Sequence, residues 1–216
     1  MIKLMLKKTR LYKWYLNNKI EKQYTIEREI NQKRRGPLIS QYLKPNGIGA
    51  ELGVLQGNFS RVLFECSKAK ELHLIDAWYF LDKKWAWTDG NQSTIDAVIK
   101  ILQENRFEIE NRKMFVHVQD DIKILSYFDD DFFDWVYIDS SHTYEHTAKE
   151  LEILKRKVKL GEIICGDDWN PDANHRHYGV CKAVSEFILK EKYELLYANA
   201  ENLQWFIKKH DNIIMF

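Results

Sequence analysis

"FDWVYIDSSHTYEHTAKELEILKRKVKLGEIICGDDW", residues 133–169, reads as a strand, a helix and a second strand in one unbroken run. Val136, Tyr137 and Ile138 are apolar and favour extended backbone, and Asp139 follows at once. From Thr143 the pattern predicts a helix that Gly161 closes at its C′ position. "EIICGDD" (162–168) is then a strand ending in Asp167 and Asp168. A helical crossover makes the two strands parallel neighbours, about 4.8 Å apart. A strand built for a core thus delivers Asp139, His142 and Tyr144 within six residues, which core packing does not require.

The same alternation recurs outward from this unit. "GIGAELG" (47–53) is a strand candidate that enters the helix-like "NFSRVLFECSKA" (58–69). "ELHLIDA" (71–77) is a second strand, and "STIDAVIKILQENR" (93–106) is an amphipathic helix with Ser93 as its N-cap. "MFVHVQD" (114–120) is a third strand, and "GVCKAVSEFILKEK" (179–192) a further helix. "YELLYANAENLQWFIKK" (193–209) reads as two strands joined by a short polar turn. That connection is too short for a parallel crossover, so the last strand is expected to run antiparallel. The fold class is therefore α/β, with a mostly parallel seven-stranded sheet and an antiparallel last strand. Residues 1–36 read as a basic N-terminal helical extension, with Leu4, Leu11 and Tyr15 near one face. "RRGPLIS" (34–40) breaks that pattern at Gly36 and Pro37, and residues 37–216 form the domain.

The totals agree with one domain and an extension. The chain has 216 residues, 45% hydrophobic and 30% charged, an ordinary globular composition. Residues 1–35 hold 11 Lys and Arg against 3 Asp and Glu, a net of +8, which leaves −7 for residues 36–216 under a whole-chain charge of +1. The extension is basic and the domain mildly acidic, an asymmetry that disfavours nucleic acid as a partner of the domain because an acidic surface repels phosphate. The arm suits contact with anionic lipid headgroups at a membrane surface, packing on a partner subunit in a homo-oligomer, or plain solvation. Three cysteines, Cys66, Cys165 and Cys181, show no CxxC pairing and read as small hydrophobes in a reducing compartment. No stretch approaches the roughly 18 apolar residues of a membrane span, and lysines interrupt "MIKLMLKKTR" (1–10) too soon for a secretory segment. The expected location is cytoplasmic.

Ligands of open parallel sheets bind beyond the carboxyl ends of the strands. Here every parallel strand ends in acid: "ELGVLQGNFS" (51–60), "IDAW" (75–78), "VQDD" (118–121), "YIDSSHTYE" (137–145) and "CGDDWN" (165–170). Glu51, Gly53 and Gly57 form a glycine-bearing turn that admits close approach of a ligand or simply joins strand to helix. It is neither GxGxxG nor a GK[ST] phosphate loop, and the missing third glycine disfavours a nicotinamide oxidoreductase. Asp76 stands where a carboxylate commonly accepts ribose hydroxyls, with helix N-capping as the plainer alternative.

Taken together, "GAELGVLQGNFS" (49–60), "HLIDAW" (73–78), "FVHVQDD" (115–121), residues 133–169 and "YGVCKAV" (178–184) resemble a class I S-adenosylmethionine-dependent methyltransferase. More narrowly they resemble the macrocin- and mycinamicin-type sugar O-methyltransferases, over residues 45–208. The resemblance implies a Rossmann-like three-layer sandwich. It implies that Glu51, Gly53 and Gly57 line the methionine part of S-adenosyl-L-methionine, that Asp76 holds its ribose, and that Asp120 and Asp121 lie by its adenine. Gln119 and Asp121 depart from the glycine and serine frequent in relatives.

Asp139 is followed 28 residues later by Asp167, with Asp168 next to it, so the two strand tips bring these acids to one spot. At an effective dielectric of about 20, two carboxylates roughly 4 Å apart repel by about 4 kcal/mol. An all-oxygen site favours Mg2+, or Mn2+ in its place, and the resembled enzymes use these three positions as metal ligands. Because successive strand residues face opposite ways, Asp167 and Asp168 can both bind only where the strand has become a loop. A bound cation lowers the pKa of a sugar hydroxyl, and His142 matches the base that takes its proton. The expected function is methyl transfer to a hydroxyl of a small molecule, a sugar or glycosylated metabolite. The rivals are a metal-independent N- or carboxyl-methyltransferase and a non-catalytic cofactor-binding module. Tyr144 and Glu145 are expected to begin the helix, and His146 to be solvated upon it. "NHRH" (174–177) lacks companions at zinc spacing and reads as a substrate-side loop or surface. Trp78, Tyr79, Trp85 and Trp87 suit a lid or substrate wall, or core packing.

Overall fold

In the computed structural model the described residues are 22, 25, 26, 28–78 and 94–210. They form α1 (Gly36–Tyr42), β1 (Ile48–Leu52), α2 (Ser60–Ser67), β2 (Glu71–Asp76), α3 (Thr94–Glu104), α4 (Arg106–Glu110), β3 (Met114–Val118), α5 (Asp121–Leu125), β4 (Phe133–Ile138), α6 (Tyr144–Lys157), β5 (Val158–Gly166), α7 (Tyr178–Glu191), β6 (Glu194–Asn199) and β7 (Gln204–Lys208). Residues 28–34 are also helical and lead into α1. The expected cap Ser93, the aromatic run from Tyr79 to Trp87, and Leu4, Leu11 and Tyr15 lie outside the described residues.

The seven strands make one sheet in the order β3-β2-β1-β4-β5-β7-β6. β1, β2, β3, β4 and β5 pair in parallel, while β7 runs antiparallel to both β5 and β6. The order reverses between β1 and β4, which makes that junction the switch point where ligands of such sheets bind. β4 is buried at every position because helices cover both of its faces. Its side chains alternate accordingly. Val136 and Ile138 pack with Leu151 and Leu154 of α6 and Val180 and Val184 of α7, whereas Trp135 and Tyr137 pack with Ile39 of α1 and Leu63 of α2. The alternation predicts the mostly parallel sheet, and the helices on both faces make the three-layer sandwich that the resemblance implies.

One boundary differs. α6 ends at Lys157, not at Gly161, and β5 begins at once with Val158. Val158 is β-branched and fully buried in register with Phe133, so core packing draws it into the sheet. The pairing with β4 then shifts between Phe133 and Trp135, and Gly161, with φ of +78°, sits within that irregularity. Among the described residues, no helix is long and apolar enough to cross a membrane.

Candidate active site

Glu51 stands next to last in β1, 1% exposed, and its Oε2 has no hydrogen-bond partner. Burial pushes its carboxyl up to about 8. Gly53 follows with φ of +81°, and a Cβ there would overlap the carbonyl oxygen of Asp139. Only glycine lets the tips of β1 and β4 approach this closely. Gly57 also has positive φ and donates its N–H to the Val54 carbonyl at 2.9 Å, closing the turn into α2. Asp76 braces the turn from β2: its Oδ2 accepts from Val54 N at 2.8 Å and Leu55 N at 2.7 Å. Trp78 is a core residue, its Nε1–H given to the Leu55 carbonyl. Asp120 caps α5 by accepting from Lys123 N at 3.0 Å, and both oxygens of Asp121 lie 2.9 Å from His146 Nε2. His146 is therefore half-buried and engaged, not solvated.

The tips of β4 and β5 are arranged differently from the expected three-carboxylate group. Asp139 and Asp167 do converge, but around Arg35. Its guanidinium donates to Asp139 Oδ2 at 3.0 Å, to the Tyr137 hydroxyl at 3.2 Å and to Asp167 Oδ2, and it lies 4.5 Å from the centroid of the Phe59 ring. Arg34 adds a second guanidinium 3.6 Å from Asp167. Gln204 Nε2 donates to the other oxygen of Asp167. Burial and the Asp139 charge still push the Asp167 carboxyl up to about 7, against the pull of Arg35.

Asp168 turns away from this group. β5 has ended at Gly166, and Asp168 adopts φ of +66°, which directs its carboxylate to two histidines. His142, itself at φ of +57°, gives Nδ1–H to Asp168 Oδ2, and His177 Nδ1 lies 2.6 Å from Asp168 Oδ1. The two rings stack with centroids 5.0 Å apart. Burial works against charging His142, yet Asp168 outweighs it and raises the imidazole above its ordinary value. Burial wins at His177, which is lowered. The ligating atoms of His142, Asp168 and His177 all lie within 4.8 Å of one another.

Sequence reasoning missed Arg35 and His177. The signal for Arg35 was its place at the end of the basic run, just before the break at Gly36. For His177 it was "NHRH", whose acidic companion is Asp168, unrecognisable from spacing alone. α6 begins at Tyr144 as expected, with Thr143 as its cap, and the Tyr144 hydroxyl donates to Glu186.

The Methyltransferase domain family matches residues 50–169, from β1 to just beyond β5. Among solved structures, a Corynebacterium glutamicum protein is 10% identical with a TM-score of 0.61, over 93% of this chain and 98% of the other. A Streptococcus mutans protein described as a methyltransferase in complex with SAH is 14% identical with a TM-score of 0.55, over 81% and 94%. A SAM-dependent methyltransferase from Aquifex aeolicus is 15% identical with a TM-score of 0.51, over 77% and 82%. At these identities the likeness is one of fold. Among the similar structures, this chain spans as little as 45% and as much as 98% of the other chain's length. No curated protein matches the sequence.

Proposed function

The chain belongs to the methyltransferase-domain family, and we propose that it uses S-adenosylmethionine and that the methyl goes to a hydroxyl oxygen of a small molecule, a sugar or glycosylated metabolite. The sugar class rests on the likeness of "YIDSSHTYE" (137–145) and "GDDW" (166–169) to the macrocin- and mycinamicin-type enzymes. In this reading residues 37–216 are the catalytic domain, and residues 1–36 are an extension whose Arg35 reaches the strand tips.

The cofactor fits the residues present. Glu51 offers a buried oxygen without a partner beside a glycine turn, suited to the donors of an amino acid or a ribose and not to a pyrophosphate. When bound, the cofactor supplies a methyl group made electrophilic by the sulfonium. His142 supplies the base. With Nδ1–H held by Asp168, the ring presents Nε2 to the proton of an attacking hydroxyl, and Asp168 stabilises the imidazolium that results. Because Asp168 raises His142 from 6.5, the neutral base is present only above that range, so activity should climb with pH beyond it. This dyad at the tips of β4 and β5, one strand from the switch point, is the observation that carries the proposal.

The Mg2+ or Mn2+ ion that the resemblance implies does not fit the three carboxylates as placed. Arg35 already fills the space between Asp139 and Asp167, and Asp168 faces the histidines. That favours a second reading, in which transfer needs no metal. A test with labelled S-adenosylmethionine and a panel of hydroxylated acceptors separates the two. His142→Gln should lose about 10²–10⁴ in rate while calorimetry shows unchanged affinity for S-adenosylhomocysteine. Full activity in that variant would sink the assignment. Activity that survives EDTA supports the metal-free reading, and loss reversed by Mg2+ would show that Arg35 yields to an ion.

A further inference from the structure

A second group of ligating side chains lies apart from His142 and Asp168, where α6 packs on the start of α5. His146 and Glu150 are four residues apart on α6 and therefore share one face. Asp121 opens α5 just after β3 and meets that face. His146 Nε2 lies 2.9 Å from both oxygens of Asp121 and 3.8 Å from Glu150 Oε1. The ligating atoms of all three lie within 4.8 Å of one another.

Glu150 makes this more than a helix-surface pair. Its side chain is 0% exposed, and neither carboxylate oxygen has a hydrogen-bond partner. Among the described residues, no lysine or arginine comes within 4.0 Å of either carboxylate. A fully buried and a partly buried acid thus flank one imidazole, and such a group calls for a cation or a shared proton. Tetrahedral zinc with bonds of about 2.0–2.1 Å holds its ligand atoms about 3.3 Å apart, and the observed separations of 2.9 and 3.8 Å bracket that value. His146, 26% exposed, leaves an approach from solvent.

We infer that Asp121, His146 and Glu150 bind a first-row divalent transition-metal ion, which ties α5 to α6 at the tip of β3. One imidazole with two carboxylates suits Zn2+ or Mn2+ better than Mg2+ or Ca2+, which favour oxygen throughout. Zn2+ should bind tighter than Mn2+.

The test uses full-length protein stripped with chelator, titrated with Zn2+ and then with Mn2+ by calorimetry, with metal content measured after gel filtration and melting temperature recorded. The wild type should take up a zinc equivalent that raises its melting temperature. His146→Gln and Glu150→Gln should weaken that equivalent by roughly 100-fold or more, since even residues that only orient a ligand are worth 10–100-fold. Asp168→Asn should retain it, which separates this site from the histidines at β5. Two results overturn the proposal: a wild type that takes up no zinc, as expected if Asp121 and Glu150 merely share a proton, or a His146→Gln variant with unchanged zinc affinity. His146 is partly exposed, so its variant folds and decides the matter even if Glu150→Gln does not.

Discussion

Two groups of acids close the same edge of the sheet. Asp139 and Asp167 share the guanidinium of Arg35, with Arg34 behind it, and Asp168 lies between His142 and His177. At the tip of β3, three strands from β4, Asp121 and Glu150 face His146, and no lysine or arginine among the described residues pairs with them. The chemistry differs accordingly. Where the chain brings its own cations, Asp168 is held below the ordinary carboxylate range, because its histidines outweigh its burial. Where it does not, burial and the Asp121 charge drive Glu150 well above that range. The kind of counter-charge matters as well: two histidines hold Asp168 low, whereas Arg35 of the basic extension offsets only part of the burial of Asp167.

Removing that counter-charge should have the largest effect on stability. Arg35→Met takes the shared cation from Asp139 and leaves Asp167 only the more distant Arg34, and breaking a buried pair costs about 3–5 kcal/mol. Urea unfolding should show the loss. It should be smaller near pH 5 than near pH 8, because a carboxyl raised to about 7 can take a proton as the pH falls. Added Mg2+ should restore part of it, since an ion can then enter between the acids. A variant as stable as the wild type at both pH values would mean that the extension is not their counter-charge.

The strands were legible because each shows its alternation within a few residues, and the acids at their tips were legible as a set. Their directions were not. Asp168 and His142 depend on left-handed backbone that no residue type there announces, and a strand end fans successive side chains apart. Arg35 was hidden by distance, standing 104 residues from Asp139 and 132 from Asp167. Glu150 was hidden by period, since a histidine and a glutamate four apart on a charged helix read as surface, yet α5 covers them. Gly161 misled because a glycine after a lysine-rich helix resembles a terminator, whereas Val158 had already joined the core.

A fourth histidine sharpens the contrast by showing what burial does with no acid nearby. His73 on β2 stacks on Phe115, touches Phe128, Phe132 and Phe133, and lies 2.9 Å from His117. Burial first, then His117, pushes it down to about 4. Its folded-state value lies below its unfolded one, so the unfolded chain takes the proton first as the pH drops. Stability should fall by about 3 kcal/mol between pH 6.5 and 4 on this account. The slope of His142, raised by Asp168, has the opposite sign, with its contribution lost as the pH rises. His73→Phe should flatten the acid slope in thermal unfolding. An unchanged slope would place the cause in the acid groups at the sheet edge.

The smallest effect concerns α6, the one element that both groups share. The loop before it carries His142, and its own face carries His146 and Glu150. Thr143 caps it, its Oγ1 accepting from His146 N at 3.4 Å, while Lys155, Arg156 and Lys157 complement the dipole at the far end. Thr143→Ala should cost about 1 kcal/mol or slightly less, because the bond is long, and Thr143→Ser should recover it. The loss should come with a parallel weakening of zinc binding and of methyl transfer, since one frayed turn loosens His142 and His146 together. If the variant loses stability while both activities hold, the two groups are positioned independently and α6 only joins them in sequence.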